Sequence, residues 1–261
     1  LKSHSIIRTV LVSLILSGFT NATYSDEIKV AVASNFIKPM KALKQAFEDD
    51  TAHTVKLTTG SSGKIFAQIK HGAPYDVFFS ADQIKVTKLL EENLAQVGSR
   101  VTYAIGRLVL WAPNNTFATP NALLESASFN RLALANPRLA PYGLAAKETL
   151  SQLTLLESSQ KKWVMAENIS QSYQFVFTAN AELGFVAYSQ VHDLMTTEAS
   201  QGSARAAKTL WLVPENFHSP IKQDAVILKA SKHGEAAQAL ISFIQSDEAK
   251  AIIETFGYQT L

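Results

Sequence analysis

The run Thr59-Gly60-Ser61-Ser62-Gly63-Lys64 sets two small hydroxyl donors between glycines, directly after the strand-like Thr54-Val55-Lys56-Leu57-Thr58. The helix-like Ile65-Phe66-Ala67-Gln68-Ile69 follows at once. A helix start carries unpaired N–H groups and the positive end of the helix dipole, so a turn of this kind suits an anion. The same arrangement occurs earlier, where Ile28-Lys29-Val30-Ala31-Val32-Ala33 runs into Ser34-Asn35 and then into an amphipathic segment. Two such turns predict one anion held between two helix ends. Spacing alone favours plain N-caps for Ser34 and Asn35. The glycines on both sides of Ser61 and Ser62 favour a ligand-approach loop.

Catalytic patterns fit the glycine loop poorly. A phosphate-binding P-loop needs G-x-x-x-x-G-K-[ST], but Thr58 stands five before Gly63 and Ile65 follows Lys64. Ser61 and Lys64 match the S-x-x-K of penicillin-recognising enzymes. The accompanying S-D-N is missing, and Lys208-Thr209 is followed by Leu210 rather than Gly. The histidines at 4, 53, 71, 192, 218 and 233 lack the i, i+4 spacing of a metal site and read as surface or loop residues. Asp76 and Asp82 flank an apolar segment, but they read as structural, and a carboxylate beside a bound dianion is repulsive. Tyr173-Gln174-Phe175-Val176-Phe177 reads as core.

The elements that must position these turns alternate between strand and helix. Phe36, Met40, Leu43 and Phe47 lie at i, i+4, i+7 and i+11, which predicts a helix from Phe36 to Asp49. Strands are expected over Asp76–Ala81, Arg107–Ala112, Arg131–Ala135, Leu183–Ala187, Thr209–Val213 and Ala225–Lys229. A helix is expected from Asp82 through Leu89-Leu90, and a final one from Gly234 to about Thr255. This alternation predicts an α/β fold with mostly parallel sheets.

The chain has 261 residues, enough for one large domain or two small ones. Residues 1–25 read as an export signal, with Lys2 and Arg8 before the apolar Val10–Leu16 and a cut after Ala22 or Ser25. Without Lys2 and Arg8 the formal charge falls from +2 to zero, which argues against nucleic acid as a partner. There is no cysteine, hence no disulfide, no thiolate metal site and no lipid-bearing Cys at the cleavage point. An exported, untethered protein of the periplasm fits these features.

Several segments together resemble the periplasmic molybdate-binding proteins of ABC importers. They are Val32-Ala33-Ser34-Asn35-Phe36, Gly60-Ser61-Ser62-Gly63, Gly72-Ala73-Pro74-Tyr75-Asp76-Val77-Phe78-Phe79-Ser80-Ala81-Asp82 and Thr102 through Trp111. Asn136-Pro137 through Ala140-Pro141-Tyr142-Gly143 and Ala181-Glu182-Leu183-Gly184-Phe185-Val186-Ala187 complete the set. The resemblance runs over essentially the whole chain after the export signal. It implies a two-lobed type II periplasmic-binding-protein fold, each lobe a mostly parallel sheet flanked by helices, with the ligand in the cleft. Lobe 1 is expected to hold residues 26–106 and 222–261, and lobe 2 residues 107–221.

The resemblance also implies the ligand groups. Ser34 and Ser62 are expected to give hydroxyl and backbone N–H bonds to molybdate, Asn35 and Ile169 a backbone N–H, and Tyr142 its phenol. Ser61 and Tyr188 are secondary candidates. Many relatives place a tyrosine where Ala187 stands here, and a one-residue shift on a strand turns Tyr188 to the other face, which favours Tyr142. No cofactor is implied and no protein–metal bond, because molybdenum enters as its oxyanion; tungstate, of nearly the same size, is expected to bind too. The implied partners are a membrane permease and its cytoplasmic ATPase, with a monomeric binding protein that is not an enzyme. The alternatives are sulfate, thiosulfate, phosphate or a small carboxylate in the same fold, the last gaining if Arg138 points into the cleft. A sensor that passes the anion signal to a membrane receptor, and a serine enzyme using Ser61 and Lys64, are the remaining readings.

Overall fold

The computed structural model describes residues 25–199 and 209–261. Apart from Ser25, the expected export signal lies outside the described residues. Among the described residues no helix is long and apolar enough to cross a membrane.

Two five-stranded sheets form two lobes. The first runs in the order β2 (Thr54–Gly60), β1 (Glu27–Ala33), β3 (Val77–Phe79), β10 (Ile221–Ile227), β4 (Val101–Gly106). The second runs β7 (Trp163–Ala166), β6 (Leu132–Ala135), β8 (Leu183–Ala187), β5 (Leu108–Trp111), β9 (Leu210–Leu212). In each, three strands pair in parallel and one, β10 or β5, is inserted antiparallel. The chain passes to the second lobe at Gly106-Arg107 and returns between Val213 and Ile221.

Burial explains why the strands read as continuous apolar runs: both faces of each sheet are covered. Ile28, Val30 and Val32 pack with Met40, Leu43, Phe47 and Leu240 on one face, while Ala31 packs with Ile65, Phe78 and Val226 on the other. Leu108 and Leu110 likewise face a different cluster from Val109 and Trp111. This is the two-residue period of a pleated strand. The predicted first helix is present as α1 (Ile37–Asp50), entered through a 3-10 turn at Ser34–Phe36. Phe36, Met40, Leu43 and Phe47 are all fully buried.

Three expectations are corrected. The single final helix is two, α9 (Gly234–Ile244) and α10 (Asp247–Glu254), because Ser246 caps the second by accepting from the Ala249 N–H at 3.2 Å. The last strand starts at Ile221 rather than Ala225, since Gln223 and Asp224 are buried against polar partners instead of lying in a loop. Tyr173–Phe177 belongs to helix α7 (Ile169–Phe177), which buries only Ile169, Ser172 and Val176 and leaves Phe177 64% exposed.

Candidate functional site

Four helical starts converge on the seam between the lobes. From lobe 1 come the Ser34–Phe36 turn and α2 (Ser62–Lys70); from lobe 2 come α5 (Pro141–Gln152) and α7. The Gly63 N–H donates across the seam to the Leu139 carbonyl at 2.8 Å. The Ser170 hydroxyl, in the first turn of α7, donates to the Ser34 carbonyl at 3.1 Å. Ala33 and Ala81 of lobe 1 share one apolar cluster with Ala140, Tyr142 and Ile169 of lobe 2.

Each start leaves donors over. Ser34 is a largely buried residue, but its hydroxyl makes no hydrogen bond to protein among the described residues and is not a fully buried atom, so it stays accessible at the seam. The Ser62 oxygen accepts from the Ala81 N–H at 2.9 Å, which occupies a lone pair and leaves its proton to donate elsewhere. The N–H groups of Asn35, Ser62 and Ile169 stand in the first turns of helical segments, where no preceding turn supplies a carbonyl. Ile169 is the first residue of α7, capped by Asn168 accepting from the Gln171 N–H at 3.1 Å. Ser34, Asn35, Ser62 and Ile169 are all buried.

Tyr142 sits in the first turn of α5 with its hydroxyl against Gly106, where a Cβ would fall 2.0 Å from the oxygen. Only glycine at 106 leaves room for the phenol at the crossing point between lobes. Burial, followed by the neighbouring Tyr258, holds the Tyr142 phenol well above its ordinary pKa, so it stays a donor. Tyr103 is raised in the same way by burial first, and Tyr258 is also raised.

A native pKa raised above the unfolded one means the folded state holds its proton more tightly. These tyrosines therefore leave stability unaffected below about pH 10 and lower it as pH rises further. Denaturant unfolding between pH 8 and 11 is expected to show this fall, and a shallower one in Tyr103→Phe.

The remaining sequence-singled residues lie as follows. Ser61 caps α2, its hydroxyl oxygen accepting from the Lys64 N–H at 3.4 Å. The Asn35 side chain is committed inward, donating to Gln223 Oε1 at 2.8 Å and to the Tyr258 oxygen at 3.0 Å. Tyr188 starts α8 (Tyr188–Ala199), with the Arg107 guanidinium over its ring at 4.8 Å and His192 edge-on at 5.2 Å. Those neighbours lie outside the cluster of helical starts. Arg138 is exposed and lines a groove of about 290 Å³ that crosses the seam, with Ala81, Asp82 and Lys85 of lobe 1 and Ala140, Pro141 and Glu148 of lobe 2.

Lys64 reaches across the seam to Glu167 at 2.5 Å, both side chains about half exposed, so its ammonium is paired rather than set beside Ser61. Asp76 accepts from the Lys29 N–H and the Ser231 hydroxyl, each at 2.7 Å, and Asp82 pairs with Lys85. Buried Asp224 is answered by Arg100 at 2.5 Å and Thr102 at 2.7 Å.

Sequence reasoning missed the polar floor beneath these turns. The Tyr258 hydroxyl donates to the Asn35 carbonyl at 2.9 Å and lies 3.0 Å from the Ser189 hydroxyl, which also donates to the Asn35 carbonyl at 3.1 Å. The Tyr103 hydroxyl lies 3.0 Å from both the Ser80 carbonyl and Gln223 Oε1. Gln223 stands between Lys222 and Asp224, just ahead of the expected Ala225–Lys229 strand, so its residue type gives no signal.

A two-lobed α/β fold with convergent helical starts in its seam defines an extracellular solute-binding protein. A family profile described as bacterial extracellular solute-binding protein matches residues 28–259. The Molybdate-binding protein ModA of Azotobacter vinelandii is 42% identical over 238 residues, covering 91% of each chain. That of Rhodobacter capsulatus is 38% identical, covering 94% of this chain and 93% of its own. The chain belongs to this solute-binding family, in the group of the ModA molybdate-binding proteins. The solved periplasmic molybdate-binding protein of Azotobacter vinelandii superposes with a TM-score of 0.81 at 37% identity, over 90% of this chain and 99% of that one. The sulfate-binding protein SubI from Mycobacterium tuberculosis shares the fold, with a TM-score of 0.70 at 11% identity over 90% and 87% of the two chains.

Proposed function

We propose that this protein binds molybdate, and tungstate with it, in the seam between its lobes and delivers it to a membrane permease driven by a cytoplasmic ATPase. The observation that carries this is the donor-only character of the site. The Ser34 and Ser62 hydroxyls, the Tyr142 phenol and the N–H groups of Asn35, Ser62 and Ile169 all give protons, and the nearby carboxylates are already paired. The protein acts as a monomer in the periplasm and performs no chemistry on its ligand. Molybdenum stays inside its oxyanion, with no bond to a protein atom and no cofactor.

Burying a dianion is costly unless many donors meet it. A hydrogen bond to a charged acceptor contributes about 1.5–3 kcal/mol. About six of them give roughly 9–18 kcal/mol, enough at the middle of that range to supply the roughly 8–12 kcal/mol of a micromolar to nanomolar complex and part of the ordering costs. Near neutral pH phosphate keeps a proton that needs an acceptor, so this lining rejects it. Sulfate has no proton but has shorter bonds to oxygen, which leaves the far donors out of reach. Lobe closure brings Tyr142 and the Ile169 N–H onto an anion already held by Ser34 and Ser62.

Titrating oxyanion-free protein with molybdate tests this, with Tyr142→Phe and Tyr188→Phe alongside. Wild type is expected to bind one molybdate, Tyr142→Phe to lose about 10–100-fold, and Tyr188→Phe to change less than about threefold. A larger loss at Tyr188 would reverse the choice of phenol. Absence of molybdate binding by wild type would remove the ligand assignment.

A further inference from the structure

Gln223 lies wholly buried in β10, at the point where its pairing with β4 shifts register between Gln223 and Asp224. Its Oε1 accepts from Asn35 Nδ2 at 2.8 Å and lies 3.0 Å from the Tyr103 hydroxyl, both in lobe 1. An amide nitrogen such as Asn35 Nδ2 only donates, so it needs the oxygen end of Gln223. Turning the Gln223 amide over would set donor against donor unless Asn35 turned as well. The nitrogen end therefore faces lobe 2, where Nε2 donates to the Tyr142 hydroxyl at 3.4 Å.

A phenol has one proton. An N–H aimed at its oxygen occupies a lone pair and turns that proton away. The Tyr258 hydroxyl also interacts with the Tyr142 phenol. With an oxyanion in the seam, the proton can pass to the anion while Gln223 keeps the lone pair engaged.

We propose that Gln223 is a positioning residue that fixes Tyr142 as a hydrogen-bond donor toward the bound oxyanion. This rests on the reading of Tyr142 as a ligand group. It adds a term to selectivity: a Tyr142 oxygen already accepting from Gln223 cannot take the proton of hydrogen phosphate. Gln223 itself need not touch the anion.

A double-mutant cycle between Gln223→Met and Tyr142→Phe, titrated with molybdate and with inorganic phosphate, tests the link. Gln223→Met is expected to weaken molybdate binding about tenfold with Tyr142 present and less than about twofold in the Tyr142→Phe background. It is also expected to narrow the preference for molybdate over phosphate. A purely structural role would give equal losses in both backgrounds and an unchanged preference, and that result would overturn the inference. Tyr103→Phe removes one of the two groups that hold Gln223 Oε1 while keeping the glutamine. A loss of about threefold that disappears in Tyr142→Phe supports the same conclusion, and an equal loss in both backgrounds counts against it. Wild-type protein that binds no molybdate overturns the functional reading beneath the inference; wild-type binding with equal losses overturns the inference alone.

Discussion

Replacing Ser34 and Ser62 together by alanine is expected to weaken molybdate binding by about 10²–10⁴-fold, the largest effect of any substitution considered. Each hydroxyl gives one bond to a charged acceptor, about 1.5–3 kcal/mol, and about 1.4 kcal/mol is a factor of ten. The two come from different helical starts and meet the anion on the lobe that holds it first, so lobe 2 cannot replace them. The fold should tolerate the change. The Ser34 hydroxyl makes no hydrogen bond to protein among the described residues and is not a fully buried atom, and Ser62 gives up one bond, that from the buried Ala81 N–H at 2.9 Å, about 1–3 kcal/mol. Calorimetric titration of the double variant, with a thermal melt to show that it folds, reads the result. Unchanged affinity would mean the anion sits elsewhere.

Gly63→Val is expected to cost about 10²–10³-fold by another route, since it touches closure rather than a ligand hydroxyl. At Gly63 the main chains of the two lobes meet directly. A Cβ there would lie 2.8 Å from the Leu139 carbonyl oxygen and 3.0 Å from its Cα, both backbone atoms that cannot swing aside. A valine holds the seam apart and breaks the Gly63 N–H bond to Leu139. The anion then keeps its lobe 1 donors and loses Tyr142 and the Ile169 N–H, about two charge-assisted bonds. Titration gives the affinity, and small-angle scattering gives the shape: wild type should contract on adding molybdate relative to any open form, and Gly63→Val should not reach the same compactness. A variant that binds and closes like wild type would show that the close approach at Leu139 is incidental.

How much of this is legible in the sequence depends on whether the cause is local. The Met40-Leu43-Phe47 face of α1 and the runs at Leu108–Trp111 and Leu183–Ala187 are visible because burial on one or both faces writes itself into the residues. The turns at Ser34-Asn35 and Ser61-Ser62 are visible because helix starts favour small hydroxyl and amide side chains. Ile169 is not visible that way, since a first-turn N–H is offered whatever the side chain; only resemblance pointed to it. Tyr142 was legible as a tyrosine and not as a buried phenol at the crossing between lobes. Gln223 and Asp224 fell outside the expected Ala225–Lys229 strand because their partners, Asn35, Tyr103, Thr102 and Arg100, lie more than a hundred residues away in the chain. Tyr258 was missed for the same reason. The break between α9 and α10 was legible, for Ser246 followed by Asp247 and Glu248 is a helix-start signature inside a run read as one helix.

The central claim is that donors alone, held on neutral side chains and helical starts, select a large unprotonated tetrahedral dianion. The most direct test is isothermal titration calorimetry of protein dialysed free of oxyanions, with molybdate, sulfate and phosphate in turn. The account predicts tight one-to-one binding of molybdate, with sulfate and phosphate at least about a hundredfold weaker, a difference of about 2.7 kcal/mol. Equal or tighter binding of sulfate or phosphate would contradict it, because a site of this size with no acceptor for a proton has no means of preferring either.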